Sequence, residues 1–184
     1  MRRGLCLFLG LMIVGSSNFA YAGDSSNTVG WERIDSRYCT VWLAPGVDAG
    51  KVNRQVNTRW IKFRYRADKG NSPKEELGAK CDMIFKRAQE LLDMYPPGIH
   101  VTWKITADKD YLQQVHKDIY GHGVDTVSFY LFQDNTIYSL YREVSESVVV
   151  HEMAHCIIDH YFKVRPPRKI EEVLAMYADE HLRD

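Results

Sequence analysis

The sequence lacks an excess of charge of either sign, since its 184 residues include 24 lysines and arginines against 24 aspartates and glutamates. A dedicated nucleic-acid binder usually carries a strongly basic surface, so this balance argues against that class. The sequence also lacks internal repeats, low-complexity tracts and, after residue 22, any long apolar run. We therefore expect a single soluble domain that binds no nucleic acid and has no membrane-spanning helix.

The one long apolar stretch lies at the N-terminus and has the features of a signal peptide. Arg2 and Arg3 precede an apolar run at residues 5–14, and Ala20-Tyr21-Ala22 forms a small-x-small cleavage site. The run is about half the roughly 20 residues needed to span a bilayer, so a membrane anchor is disfavoured. We expect export to the periplasm or the cell exterior, with residues 1–22 removed and residues 23–184 forming the mature domain.

Cysteine is scarce, and the mature chain holds only Cys39, Cys81 and Cys156. Their spacing matches no zinc-ribbon pattern, so ligation of a metal by cysteine is not expected. An exported protein reaches a compartment that permits disulfides. Three cysteines allow one bridge and leave one over, and we predict that the bridge joins Cys39 to Cys81.

The pattern of apolar residues and turn signals predicts a mixture of strands and helices that ends in two helices. Strands are predicted at residues 38–43, 60–66, 101–105, 127–132 and 136–141, and helices at residues 73–94, 109–120, 146–162 and 169–181. Residues 48–58 are ambiguous. One face of the strand at 60–66 carries Lys62, Arg64 and Arg66, and is either a solvated face or a contact for an acidic substrate. This order of elements is typical of the α+β class.

The segment His151-Glu152-Met153-Ala154-His155 lies within a predicted helix and carries the residue types of a metal site. Histidines four residues apart lie on one helix face, so both imidazoles can reach the same metal ion. Glu152 lies about 100° around the helix from His151 and points beside such an ion. Because zinc lowers the pKa of a water molecule that it binds, Glu152 is suited to accept the proton as a general base. The alternative is a pair of core histidines without a metal.

A zinc site needs a third protein ligand, and the candidates are Asp159, His160, Glu171 and Glu172. On the helix, His160 faces away from His151. Glu172 lies about one turn into the last helix, which the turn at Pro166-Pro167 can fold back against the first. Glu171 points about 100° away and ranks second. An acidic first turn that complements the helix dipole is the alternative explanation for both glutamates. A longer helical signature with a third histidine is disfavoured, because Ile158 and Tyr161 stand where it needs glycine and histidine.

Two segments resemble a known enzyme group. Residues 151–159 look like the active-site helix of thermolysin-like zinc metallopeptidases, the gluzincins. Residues 170–177, Ile-Glu-Glu-Val-Leu-Ala-Met-Tyr, are similar to the helix that carries the zinc glutamate in small members of that group. The resemblance covers about residues 136–181 and assigns the third ligand to Glu172. Val173 departs from the pattern, which usually has glycine there.

The resemblance implies a small zincin-like α+β domain with a mixed β-sheet, an active-site helix and a C-terminal glutamate helix. It implies an edge strand along the cleft, formed by residues 136–141, to which a peptide could pair as an added strand. The implied activity is hydrolysis of peptide bonds in a peptide or protein substrate. The implied cofactor is Zn²⁺, bound by His151, His155 and Glu172, with Glu152 as the base.

Further groups around the site are expected. Asp159 and Asp179 are candidates for orienting a zinc-bound histidine. An oxyanion-stabilising group is also expected, and the candidates are Tyr138, Tyr141, Tyr177, His116 and His122. A catalytically inactive binding protein with the same fold is the alternative, against which the intact Glu152 argues. A deformylase-like amidohydrolase is disfavoured because no upstream cysteine has the Gly-Cys-Leu setting that it needs. No feature of the sequence indicates an oligomeric state.

Overall fold

The computed structural model describes residues 28–58, 72–123 and 125–184, which form five strands and five helices. The predicted signal peptide and the predicted strand at 60–66, with its basic face, lie outside the described residues. Among the described residues, no helix combines the length and the apolar character needed to cross a membrane.

The five strands form one mixed sheet. They are β1 (Glu32–Asp35), β2 (Cys39–Leu43), β3 (Val101–Thr106), β4 (Ser128–Leu131) and β5 (Thr136–Leu140), in the spatial order β1-β2-β3-β5-β4. The three inner strands are parallel, whereas β1 and β4 pair antiparallel with their neighbours at the two edges. The α+β class predicted from the sequence is therefore confirmed, together with the mixed sheet. Only β1 was not predicted.

The helices begin where the sequence supplies capping residues. They are α1 (Ala49–Gln55), α2 (Pro73–Leu92), α3 (Lys109–Tyr120), α4 (Glu146–Tyr161) and α5 (Arg168–Glu180). Ser72 and Glu75 form a reciprocal capping box at the start of α2. Asp108 caps α3, which ends at Gly121 in a left-handed conformation that glycine adopts without strain. Ser145 caps α4 by accepting a hydrogen bond from the backbone of Val148.

The sheet buries apolar side chains on both faces, because successive strand residues point to opposite sides. The larger core lies between the sheet and helices α2, α4 and α5, and includes Phe85, Trp103 and Met153. The smaller core lies on the other face, where Leu112 of α3 packs with Phe129 and other side chains of β4 and β5. Helix α4 therefore rests on the sheet with one face buried, and its other face is available for a site.

The edge strand nearest α4 is β4, so the prediction that residues 136–141 form this edge is wrong. Strand β5 lies between β3 and β4, and four of its five residues are buried. A parallel inner strand has both faces covered, which matches this burial. The chain turns tightly at Phe132–Asp134 after β4, and the returning strand takes the inner place beside β3. Within the part of the chain that the structure describes, this edge of the sheet is thus formed by residues 128–131.

The three described cysteines are buried free thiols in the larger core. The thiols of Cys39 on β2 and Cys81 on α2 lie close enough to act on each other's ionisation. Burial raises the pKa of the Cys39 thiol well above its usual range. The disulfide predicted between Cys39 and Cys81 is not formed in this structure.

Candidate metal centre

Helix α4 presents two histidines on one face. His151 and His155 are one turn apart, and their ring centroids are separated by 5.0 Å. The opposite side of the helix is anchored by fully buried apolar residues, among them Met153 and Ile157. This packing fixes the rotation of the helix about its axis, so the two imidazoles face α5.

Helix α5 brings the third candidate ligand to the same place. The chain turns at Pro166-Pro167 and α5 packs against α4, with the small and fully buried Ala175 allowing close approach. The Glu172 carboxylate oxygen Oε2 lies 3.6 Å from Nε2 of His151 and 3.7 Å from Nε2 of His155. The sequence prediction that these three residues share one site therefore agrees with the geometry.

The three side chains fit a zinc ion. One ligand atom from each residue lies within 4.8 Å of the other two. Two ligand atoms bound tetrahedrally at zinc distances are about 3.4 Å apart, close to the separations between Glu172 and the two histidines. Two imidazoles and one carboxylate are a donor set that zinc accepts while keeping a coordination position open. This group is the one potential metal cluster among the described residues.

Glu171, ranked second as a ligand, has a different partner. Its side chain is buried and accepts hydrogen bonds from Nε and Nη2 of Arg165 at 2.7 and 3.2 Å. The same Arg165 Nε lies 2.9 Å from the buried carboxylate of Asp159. Arg165 therefore joins the end of α4 to the first turn of α5. Glu172 is left free to face the histidines.

The two aspartates expected to orient the histidines contact other groups. Asp159 pairs with Arg165, and its burial raises the pKa of the carboxyl to about 6. Asp179 accepts a hydrogen bond from the Ser147 hydroxyl, one turn before His151 on α4. His160 is exposed and bonds the backbone carbonyl of Cys156, so it faces away as predicted. Both aspartates thus fasten the two helices together, at opposite ends of the three-residue cluster.

Glu152 lies beside the cluster and is held by the edge strand. Its exposed fraction is 7%, and the Ser128 hydroxyl and the backbone of Tyr130 favour its charged form and act to lower its pKa. Burial disfavours the charged form and raises the pKa of Glu152 to about 8, and the negative charge of Glu172 acts in the same direction. A carboxylate with a raised pKa next to a metal site is suited to accept and return a proton near neutral pH.

His155 is kept neutral by its surroundings. Burial, followed by the neighbouring His151, lowers the pKa of His155 to about 4. A neutral imidazole offers its lone pair to a metal without first losing a proton. The electrostatics of the pocket therefore favour metal binding over protonation of His155 at neutral pH.

The cluster opens into a cavity of about 610 Å³ between α3, β4, α4 and α5. Of the five candidates for stabilising an oxyanion, only His116 lines this cavity. Sequence reasoning missed Tyr120, which lies one turn further along α3 and also lines it. Burial raises the pKa of the Tyr120 phenol, so this group remains a hydrogen-bond donor at neutral pH. Tyr120 could have been found from the sequence, because it lies four residues after His116 on the same predicted helix.

Comparisons of the chain with protein-family models, with curated proteins and with solved structures found no significant match. The site is therefore interpreted from its own geometry.

Proposed function

We propose that this protein is an exported zinc-dependent peptidase with a small zincin-like domain. The observation that carries the proposal is the convergence of His151, His155 and Glu172 beside the buried Glu152. The two histidines and Glu172 would hold the ion. Zinc in such a site supplies Lewis-acid activation of a water molecule and of a substrate carbonyl.

The remaining chemistry belongs to side chains of this chain. Glu152 takes up a proton from the attacking water and returns it to the departing amine. The hydroxyl of Ser128 and the N–H of Tyr130 hold the Glu152 carboxylate in place. Tyr120 and His116, on the opposite wall, are the donors available to the oxygen that gains negative charge.

The substrate class that fits this cleft is an extended peptide or a protein segment. Among the described strands, β4 is the sheet edge that lines the cavity, and an extended peptide could add to it through those backbone groups that Glu152 does not occupy. Pairing of this kind would carry the scissile bond past the three-residue cluster. The walls come from α3 and α5 within the described residues.

The first experiment measures metal content by elemental analysis in the purified protein and in two matched variants. We expect one zinc per chain, loss of zinc in Glu172→Gln, and retention of zinc in Glu171→Gln. The second variant is the control, because its neighbouring carboxylate is bound to Arg165. Absence of stoichiometric metal in the unmodified protein would overturn the proposal.

Activity is then tested with a peptide library, using Glu152→Gln as the matched variant. We expect cleavage by the zinc-loaded protein and a loss of at least about a hundredfold in Glu152→Gln, since the base would be removed. Zinc binding without cleavage of any peptide would instead favour a catalytically inactive binding protein.

A further inference from the structure

A chain of buried hydrogen bonds leads from the interior of the sheet to Glu152. The indole Nε1–H of Trp103 on β3 donates to the Ser139 hydroxyl on β5 at 2.9 Å. The Ser139 hydroxyl lies 2.9 Å from the Ser128 hydroxyl on β4. Ser128 and Glu152 line the same cavity, and the Ser128 hydroxyl acts on Glu152 as a hydrogen-bond donor that favours its charged form and lowers its pKa. The three donors of this chain are all buried, with exposed fractions of 7% or less.

The indole fixes the direction of the chain. An indole N–H can only donate, so the Ser139 oxygen accepts and the Ser139 proton is available for Ser128. The Ser128 proton then has two acceptors within reach, the Glu152 carboxylate and the Tyr138 carbonyl at 3.0 Å. When Glu152 is ionised, as its proposed role as base requires, a bond to its carboxylate is the stronger of the two, and the chain then directs the Ser128 proton to Glu152.

We propose that Ser128 is a positioning residue that orients the Glu152 carboxylate toward the metal cluster, with Ser139 and Trp103 aligning its hydroxyl. This assignment rests on the proposed function, in which Glu152 acts as the base. Three adjacent strands supply the three groups, and strands hold side chains more rigidly than loops do. The edge strand that faces the substrate therefore also fixes the base.

The kinetic test compares Ser128→Ala with Ser128→Thr, which keeps the hydroxyl. We expect Ser128→Ala to lower kcat by 10- to 100-fold, the range typical of partners that orient a metal-site group, with KM changed less than about threefold. Ser128→Thr should recover most of the lost kcat, and zinc content should be unchanged in both. Ser139→Ala leaves Ser128 and Glu152 intact, and should give a smaller loss of kcat. Full kcat in zinc-loaded Ser128→Ala would overturn the assignment.

A second readout does not depend on activity or on zinc. The sequence contains four tryptophans, and the indole N–H resonance of Trp103 can be assigned in an NMR spectrum by its loss in Trp103→Phe. We expect this resonance to move upfield in Ser128→Ala and to shift in Glu152→Gln, because linked hydrogen bonds polarise one another. The control is Ser147→Ala, which removes a hydroxyl from the same cavity but not from the chain.

The outcomes separate the two proposals. A Trp103 resonance that stays in place in both Ser128→Ala and Glu152→Gln would overturn the hydrogen-bond chain, whatever the metal content. An unmodified protein that binds no zinc and cleaves no peptide would overturn the proposed function and this assignment with it. Cleavage with zinc present, together with the expected kinetic and NMR changes, would support both.

Discussion

Glu171 and Glu172 are adjacent in the chain but have different partners. The Glu171 carboxylate is buried against Arg165, whereas Glu172 lies within 3.7 Å of both histidine nitrogens. Adjacent residues on a helix diverge by about 100°, so one turn of α5 serves two purposes. Glu171 fastens α5 to the end of α4, and this attachment holds Glu172 at the cluster.

The attachment should be a large contributor to stability. Arg165→Ala would leave the buried carboxylates of Asp159 and Glu171 without their shared cation. Because the Arg165 side chain is itself 51% exposed and solvent screens it in part, we expect a loss of about 1–2 kcal/mol in the free energy of unfolding. Arg168→Ala is the matched control, because its side chain is 85% exposed and its pair with Glu172 is screened by solvent. Urea unfolding of the zinc-free proteins measures the loss of stability in both variants. Equal losses in the two variants would contradict this interpretation.

Because Glu152 is buried, the free energy of unfolding should depend on pH. Its pKa is raised from 4.5 to about 8 in the folded protein, so the folded state holds a proton that the unfolded chain releases between these values. Stability without zinc should therefore fall as pH rises through this window. The Glu152→Gln variant has no titrating group at this position, so its free energy of unfolding lacks this fall with pH. We expect the variant to gain roughly 4 kcal/mol over the unmodified protein between pH 5 and pH 9.

Urea unfolding at several pH values, in the presence of a chelator, measures this gain. Glu180→Gln serves as the control, since it removes an exposed carboxylate from the end of α5. A difference between the unmodified protein and Glu152→Gln that does not change with pH would refute the prediction.

Local features of the sequence predicted most helices and the central part of the site. Capping residues such as Ser72, Asp108 and Ser145 mark helix starts because they satisfy backbone N–H groups within three residues. The pairing of His151 with His155 follows from helix geometry alone. Glu172 could be ranked above Glu171 because it shares a helix face with the small Ala175, whereas Glu171 points about 100° away, and because the family resemblance places the ligand at Glu172.

Contacts between distant segments could not be predicted in the same way. Strand β1 was missed because Ile34 is the only apolar residue among its four, so no alternating pattern exists. The placement of β4 at the edge depends on the pairing of β5 with β3, more than thirty residues upstream. The bonds from Ser128 to Glu152 and from Arg165 to Asp159 form only after these elements pack.

If the proposed function holds, Tyr120 is a candidate donor for the oxyanion. Tyr120 lines the cavity, and its phenol lies close enough to Glu152 for their charges to interact. Because such a donor acts on charge that develops in the transition state, we expect Tyr120→Phe to lower kcat by about a hundredfold and to leave zinc content unchanged. His116→Gln is the comparison on the same helix. A larger loss of kcat in His116→Gln than in Tyr120→Phe would transfer this assignment to His116.

Finally, the contact between Cys39 and Cys81 predicts a disulfide in protein recovered from an oxidising compartment. The thiols are adjacent, and Cys156 is engaged elsewhere, with its thiol 3.0 Å from the side-chain oxygen of Asn135. A bridge from β2 to α2 would close a loop of about 40 residues and, by chain entropy, add roughly 4 kcal/mol to the free energy of unfolding. Thiol titration of the denatured chain should then find one free cysteine after residue 22, and reduction should lower the melting temperature. Substituting Cys156→Ala should leave the effect of reduction intact, whereas Cys81→Ala should abolish it. Three titratable thiols in protein recovered from such a compartment would show that this pair stays reduced in the core.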